Sequence, residues 1–80
     1  MSESMNKAFA RAIRARMAEV GCESYRDLAE RTGLSANGIS KICNNGNATT
    51  TSIRLIAEAL STTPASLYLA AEEIEGEDNE

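Results

Sequence analysis

Five small or polar side chains recur along a short segment in the middle of the chain. Their spacing of i, i+1, i+4, i+5 and i+8 keeps them on one face if the segment is a helix. Asn can pair with adenine through two hydrogen bonds, Lys can donate to guanine, Ser can use either kind of partner, and Ala can touch a thymine methyl group. The face is therefore suited to reading base edges in DNA, although a solvated helix face has similar composition. Its members are Ala36, Asn37, Ser40, Lys41 and Asn44.

A helix start and a sharp turn precede this face. Ser24 can cap a helix by accepting a hydrogen bond from a free backbone N–H group, and Asp27 can reach back from three residues on. Asp27 also places negative charge in the first turn, where the helix dipole favours it. Gly33 ends this helix, because glycine adopts the left-handed conformation without steric cost.

The second helix of the pair carries the polar face. Ser35 caps it, and it is predicted to run from Ala36 to about Asn44. Ile39 and Ile42 lie three residues apart and form its buried stripe. The Asn-Gly pair at 45–46 is a second left-handed stop signal.

The stretch from residue 25 to residue 44 resembles the helix-turn-helix of lambdoid phage repressors, Cro proteins and their bacterial relatives. That family places a small residue in the first helix, glycine four positions later and an aliphatic residue six beyond that, and Ala29, Gly33 and Ile39 match. The resemblance implies an all-α fold, a compact five-helix lambda-repressor-like domain with its helix-turn-helix at helices 2 and 3. Matching apolar positions are Leu28, Leu34 and Ile42.

The resemblance also implies a function. It suggests a sequence-specific transcriptional regulator, a repressor of phage or prophage type that binds a (pseudo)palindromic operator in double-stranded DNA as a homodimer. A restriction-modification controller or an antitoxin would show the same pattern, and so would a protein-docking module with this fold. The docking alternative is disfavoured because the polar face lacks the aromatic or aliphatic anchors of a protein hot spot. No cofactor, metal ion or small-molecule ligand is expected.

Phosphate contacts are expected around the helix pair and the loop after it, which lies along the DNA backbone in this family. The loop from 44 to 52 is uncharged where relatives often carry Lys and Arg, but amides, hydroxyls and a helix N-terminus can also bind phosphate. Because such contacts release few counterions, we expect a shallow salt dependence of binding. The expected phosphate contacts are Tyr25, Arg26, Ser35, Asn45, Asn47, Thr49, Thr51 and Ser52.

The first helix is predicted from about residue 4 to residue 20. Its apolar face repeats every three or four residues, and Gly21 ends it. The opposite side is basic, with Lys7, Arg11 and Arg14, and is either solvated or close to DNA phosphate. Many relatives carry a glutamate at the position of Cys43 that pairs with a first-helix arginine, and here Met17 is the expected neighbour. The apolar face consists of Met5, Phe9, Ile13, Met17 and Val20.

Two further helices complete the predicted domain. Thr51 or Ser52 caps the fourth, which ends near Leu60, and Thr63 followed by Pro64 opens the fifth. Part of the apolar side of the fifth helix must cover the core, and the remainder is a candidate contact with a second copy. The expected dimerisation residues are Leu67, Tyr68, Leu69 and Ala71, with Ile74 as a further apolar position.

The end of the chain is acidic. From residue 72 onwards it holds six acids and no base, so we expect a DNA-binding domain over 1–74 and a disordered tail or the start of a linker over 75–80. The tail dominates the net charge of −4, because the rest of the chain has eight bases against six acids. It would keep the protein soluble, repel loosely bound DNA or lead into a further domain.

Composition excludes several other classes. Eighty residues make one small domain with a thin core. Without histidine, and with Cys22 and Cys43 far apart in the chain, a zinc site and an enzyme are both disfavoured, and free thiols are expected rather than a disulfide. There is no long apolar run and no signal-peptide core, so the expected location is the cytoplasm, on DNA.

Overall fold

Five α-helices make up the fold. The computed structural model describes residues 3–45 and 48–78, and within those ranges it contains no strand. The all-α, five-helix architecture predicted from the sequence is therefore confirmed. Gly46, predicted to stop the third helix, and Asn47, predicted to contact phosphate, lie outside the described residues. The helices are α1 (Glu3–Glu19), α2 (Tyr25–Thr32), α3 (Ala36–Asn45), α4 (Thr50–Ala59) and α5 (Pro64–Asp78).

The core is formed by apolar side chains from all five helices. α1 packs against α5 and α3, α2 packs against α3 and α4, and α4 meets α5. The predicted apolar face of α1 is confirmed for Phe9, Ile13 and Met17, and Val20 packs at its edge, whereas the side chain of Met5 is outside the described set. No polar side chain is buried in the part of the chain that the structure describes. Its most deeply buried large side chains are Ile13, Leu28, Ile39, Ile56 and Leu60.

The start of α2 is a reciprocal cap. The Ser24 hydroxyl accepts from the Asp27 backbone N–H at 3.1 Å, as the sequence predicts. The Asp27 carboxylate reaches back to the N–H of Glu23 at 3.3 Å, one residue beyond the cap itself. Arg31 donates to the same carboxylate at 3.3 Å, and this bond holds the pKa of Asp27 below its ordinary value. One acid thus joins the linker to the last turn of the helix.

The cap of α4 corrects a sequence prediction. Thr49, rather than Thr51 or Ser52, caps this helix, because its hydroxyl accepts from the Ser52 N–H at 3.1 Å. Several hydroxyl residues in succession offer similar caps, so local chemistry alone did not choose among them. The cap of α5 is as predicted: Thr63 accepts from the Ser66 N–H at 3.1 Å, and Pro64 takes the first helical position.

The end of α5 lies further along the chain than the sequence suggested. The helix continues to Asp78, whereas disorder was expected beyond Ile74. Glutamate is a good helix former, and Gly76, the weakest helix former between residues 75 and 78, costs only about 1 kcal/mol relative to alanine. The division of the chain into 1–74 and 75–80 remains a prediction. No helix in the described part of the chain is long and apolar enough to cross a membrane.

Arg16 ties the end of α4 to α1. Its guanidinium donates to the carbonyl of Leu60 at 2.8 Å and to the carbonyl of Ser61 at 2.9 Å, and it pairs with Glu19 at 2.9 Å. Leu60 is the C-cap of α4, and Ser61 has a positive φ of 56°. The carbonyls at a helix C-terminus lack partners and carry partial negative charge, so a cation there is favourable.

We expect substitution of the turn glycine to destabilise the fold. Gly33 has φ of 80°, and a Cβ atom there would meet nothing within 4 Å, so the cost of Gly33→Ala is backbone strain alone, about 1–2 kcal/mol. The matched control is Gly76→Ala in α5, which also meets nothing within 4 Å but has no positive φ. It should leave stability unchanged or raise it by up to about 1 kcal/mol. Urea denaturation measures both, and equal effects would contradict the strain argument.

We also expect Arg16→Met to lower the free energy of unfolding by about 1–3 kcal/mol. This substitution keeps most of the apolar stem but removes the charged hydrogen bonds to two helix-terminal carbonyls. Arg26→Met is the control, since Arg26 lies exposed on α2. Thermal or urea unfolding would test this, and a loss for Arg16→Met no larger than that for the control would show that the tie contributes nothing.

Candidate nucleic-acid interface

The polar face predicted on α3 is on the surface. Ala36, Asn37, Lys41 and Asn44 are exposed, and Ser40 is half-buried. The opposite side of the same helix is apolar and buried, with Ile39 at 0%, Ile42 at 6% and Cys43 at 4% exposure. One side of α3 is thus packed against the core, and the other side carries a continuous strip of amide, hydroxyl and ammonium groups that faces outward.

Two members of this strip are hydrogen-bonded to each other. The Asn44 side-chain amide donates to the Ser40 hydroxyl at 3.3 Å, one turn earlier on the helix. The Asn44 amide keeps its carbonyl oxygen and a second N–H for an external partner, and the Ser40 hydroxyl keeps its proton. The bond restricts the Asn44 side chain without using up the groups that could pair with a base.

The turn before α3 is held by hydroxyl groups. Thr32 donates to the Leu28 carbonyl at 2.9 Å and accepts from the Leu34 N–H at 3.1 Å. Ser35 then caps α3 by accepting from the Gly38 N–H at 2.9 Å. A Cβ atom at Gly38 would lie 3.0 Å from that Ser35 hydroxyl, so glycine leaves room for the cap.

A small open cleft is lined by residues from the turn before α3, from α3 itself and from the start of α4. Its volume is about 220 Å³, and its polar lining consists of Ser35, Lys41 and Ser52, with Gly38 at its edge. Backbone N–H groups at helix starts favour anions, and a lysine adds positive charge. Lys41, predicted only as a base contact, therefore also borders a place suited to phosphate. No local sequence pattern predicts this site, because Ser52 belongs to a different helix.

The other predicted phosphate contacts occupy different settings. Arg26, Ser35, Thr49 and Thr51 are exposed, while Ser52 is half-buried. The Thr49 hydroxyl is hydrogen-bonded within its own helix. It accepts from the Ser52 N–H and donates to the Ser52 hydroxyl at 2.9 Å. The side chain of Asn45 is outside the described set, as is all of Asn47.

Tyr25 points toward α1 and α3. Its hydroxyl accepts from an Arg14 guanidinium nitrogen at 3.2 Å. Burial, and next the neighbouring Cys43 side chain, raise the pKa of Tyr25 above its ordinary value, although Arg14 opposes them. The expected neighbour of Cys43, Met17, is buried in the same core. Neither Cys43 nor Cys22 is in a disulfide, and burial raises the pKa of the Cys22 thiol.

The predicted dimerisation residues on α5 divide into two sets. Leu67 at 3% and Ala71 at 0% exposure belong to the core of their own chain. They are therefore not available for the contact with a second copy that the sequence predicted. Their spacing of four places both on the side that packs against α1. Tyr68 is half-buried and stacks on Phe9 with ring centroids 5.0 Å apart. Leu69, at 59% exposure, is the one large apolar side chain exposed among the described residues.

Comparison with known proteins places this geometry in a family. A family model described as a Cro/C1-type HTH DNA-binding domain matches residues 12–69, more than two thirds of the chain. The match includes all of α2, the turn, α3 and α4. No curated protein and no solved structure gave a match. The chain belongs to the family of Cro/C1-type helix-turn-helix DNA-binding domains.

Proposed function

We propose that this protein is a transcriptional repressor, of phage or prophage type, that binds a (pseudo)palindromic operator as a homodimer. Membership of the family makes it a sequence-specific DNA-binding regulator. The observation that supports the proposal most is the outward face of α3, where hydrogen-bonding groups stand on a helix whose other side is buried. A helix that is packed against the core on one side and carries small polar side chains on the other fits the major groove.

The base-reading residues in this proposal are the five on the α3 strip. Asn37 and Lys41 are the principal readers, because both are exposed and each carries a group that pairs well with a purine. Ala36 offers a methyl contact near the helix start, and the Ser40–Asn44 pair offers a restrained amide one turn further along. Seating α3 in successive major grooves at a promoter would block RNA polymerase.

Phosphate contacts orient the domain on DNA in this proposal. Arg26, Ser35, Thr49, Thr51 and Ser52 supply them on the described surface, and Asn45 and Asn47 are proposed as further contacts. Arg26 and Lys41 are the two cations among the proposed contact residues, and Arg54 lies two residues after Ser52. Since neutral hydroxyls and amides release few counterions, the affinity should depend only weakly on salt.

A dimer is proposed because one recognition helix covers only a few base pairs. Two copies related by a two-fold axis would read half-sites about one helical turn apart. The exposure of Leu69 on α5 supports a contact there, with Tyr68 beside it. Restriction-modification controllers and antitoxins would use the same reading surface. A protein-docking role is less favoured, because the α3 strip offers no large apolar side chain.

Selection of bound duplexes from a random DNA pool would test the proposal directly. An enriched inverted repeat would establish a sequence-specific dimer, and a single enriched half-site would remove the dimer but keep the reading helix. If no sequence were enriched even at low salt, operator binding by this chain would be refuted. Transcription from a promoter carrying the selected site would then distinguish repression from activation.

Substitutions on α3 should change sequence preference. Asn37→Ala and Lys41→Ala are each expected to weaken binding by about 1–3 kcal/mol and to relax preference at one base pair. Lys7→Ala, which removes the same charge as Lys41→Ala from the exposed side of α1, is the matched control and should not alter the preference. Repeating the selection with each variant measures this. If the selection returned the same DNA sequence for both α3 variants as for the unsubstituted protein, a different surface would read the bases.

A charge on the exposed side of α5 should separate the copies. Leu69→Asp is expected to weaken operator binding by about tenfold or more, roughly 1.4 kcal/mol, because it places a charge in the proposed apolar contact. Ala18→Asp adds the same charge at an exposed position of α1 and controls for repulsion from DNA. Sedimentation and binding curves measure mass and affinity. Unchanged mass and affinity in Leu69→Asp would place the dimer contact elsewhere.

A further inference from the structure

The two helices that line the cleft between Lys41 and Ser52 do not pack against one another. Among the described residues, no Cα atom of α3 lies within 8 Å of a Cα atom of α4. Helix α3 packs against α1 and α2, whereas α4 packs against α2 and α5. The distance across the cleft therefore depends on how each of the two helices is held by its other neighbours.

Arg16 connects α4 directly to α1, the helix on which α3 packs. In the described chain the backbones of α1 and α4 also stay more than 8 Å apart, measured between Cα atoms, so this connection is made by a side chain. The Arg16 Nε donates to the carbonyl of Leu60 at 2.8 Å, and its Nη2 donates to the carbonyl of Ser61 at 2.9 Å. The remaining nitrogen, Nη1, donates to Glu19 at 2.9 Å. All three nitrogens of a planar group are thus engaged, which fixes its direction as well as its position.

These hydrogen bonds supply a constraint that the core does not. The buried side chains of α4 are aliphatic, and hydrophobic burial is non-directional, so it sets the depth of the helix more strongly than its tilt. Arg16 binds the backbone at the point where the chain leaves α4. There Leu60 is the C-cap, and Ser61 has a φ of 56°, which residues other than glycine rarely adopt. The C-terminal end of α4 is therefore held in place by directional bonds.

The other end of α4 carries groups that are proposed to contact phosphate. Thr51 and Ser52 lie in its first turn, and Ser52 lines the cleft opposite Lys41. A helix of ten residues is about 15 Å long, so a tilt of about 10° around its middle moves each end by about 1.3 Å. Hydrogen bonds form over a range of only about 0.5 Å in donor–acceptor distance. A small tilt of α4 would therefore break a contact made by Ser52.

We propose that Arg16 is a positioning residue, which holds the end of α4 on α1 and so sets the distance across the cleft between Lys41 and Ser52. The inference rests on the proposed function, in which these two residues contact DNA. Arg16 itself does not contact DNA in this role, because its hydrogen bonds are made within the chain, at the end of α4 away from Ser52.

The angle between α3 and α4 in the protein without DNA tests the positioning. Residual dipolar couplings of the backbone N–H groups measure this angle in solution. It should change by several degrees in Arg16→Met and by less in Arg16→Lys, which keeps the charge and can bond one carbonyl. Ile13→Val is the matched control, because it lowers the stability of the same helix without removing a hydrogen bond, and it should leave the angle unchanged.

An unchanged angle in Arg16→Met would refute the inference. If Arg16→Met does not fold, Arg16→Lys decides the question, and an unchanged angle in that variant would refute the inference in the same way. A loss of stability alone would not alter the angle in the folded molecules, so this measurement separates positioning from a general stabilising effect.

Binding to the selected duplex tests the consequence for DNA. Arg16→Met should weaken binding by about three- to tenfold, the effect of one hydrogen bond, and should keep the preferred sequence, since the α3 strip is unaltered. Ser52→Ala should weaken binding by a similar factor in the unsubstituted protein but much less in Arg16→Met, because both changes remove the same contact. Ile13→Val should bind as the unsubstituted protein does.

The outcomes distinguish this inference from the proposed function. If the losses for Arg16→Met and Ser52→Ala add in the double variant, Arg16 does not act through Ser52 and the inference is wrong. It is also wrong if the angle changes in Arg16→Met but the affinity does not. If the unsubstituted protein binds no duplex while the angle changes as expected, operator binding fails and the placement of α4 by Arg16 stands.

Discussion

The burial of Ile39 in α3 is the contact on which the rest of this fold depends. Ile39 has no exposed surface, and its helix packs against both α1 and α2. A ten-residue helix would not be stable alone in water, so its packing against the core maintains its shape. The helix that carries the polar strip is thus also a central part of the core. Stability and the proposed base recognition depend on two sides of the same helix.

This double use explains the composition of α3. The inner side must be apolar and closely packed, and the function proposed above requires an outer side small enough to enter a DNA groove. The result is a helix with a single charge, Lys41, and four short polar or small residues on its outer strip. In the proposed DNA complex, phosphate contacts would position this helix, and hydrogen bonds from the strip to base edges would specify the sequence.

The sequence predicted those features whose physical cause is local. Ser24, Ser35 and Thr63 each cap a helix through a backbone group three residues away, and Gly33 takes the left-handed conformation that ends α2. The apolar periodicity of α1 and α3 also predicted the burial of their large side chains, Phe9, Ile13, Met17, Ile39 and Ile42, but it did not predict that Ala8, Ala10 and Ala12 are buried as well. The candidate strip on α3 followed from the same periodicity, because the outer positions are those that the core does not use.

Features that depend on distant parts of the chain were not predicted. Arg16 bonds to carbonyls 44 and 45 residues away, and no local pattern indicates such a pair. The cleft lined by Lys41 and Ser52 combines residues of two different helices, α3 and α4, and Arg14, the hydrogen-bond partner of Tyr25, lies 11 residues before it on α1. Leu67 and Ala71 appeared available for a second copy because the extent of their burial against α1 depends on the angle between two helices.

The length of α5 also has an electrostatic consequence. The last residue of α5 that is fully buried is Ala71, and the helix axis continues about 10 Å beyond it to Asp78, at about 1.5 Å per residue. The carboxylates of Glu72, Glu73 and Glu75 are thereby attached to a rod instead of a flexible coil. A flexible segment spreads its charge over many positions, whereas a rod gives the electric field of the domain a direction. The domain therefore has a permanent negative pole. In the electric field of a polyanion, this pole produces a torque on the domain as well as a repulsion. Both effects are screened over a distance of about 8 Å at physiological ionic strength.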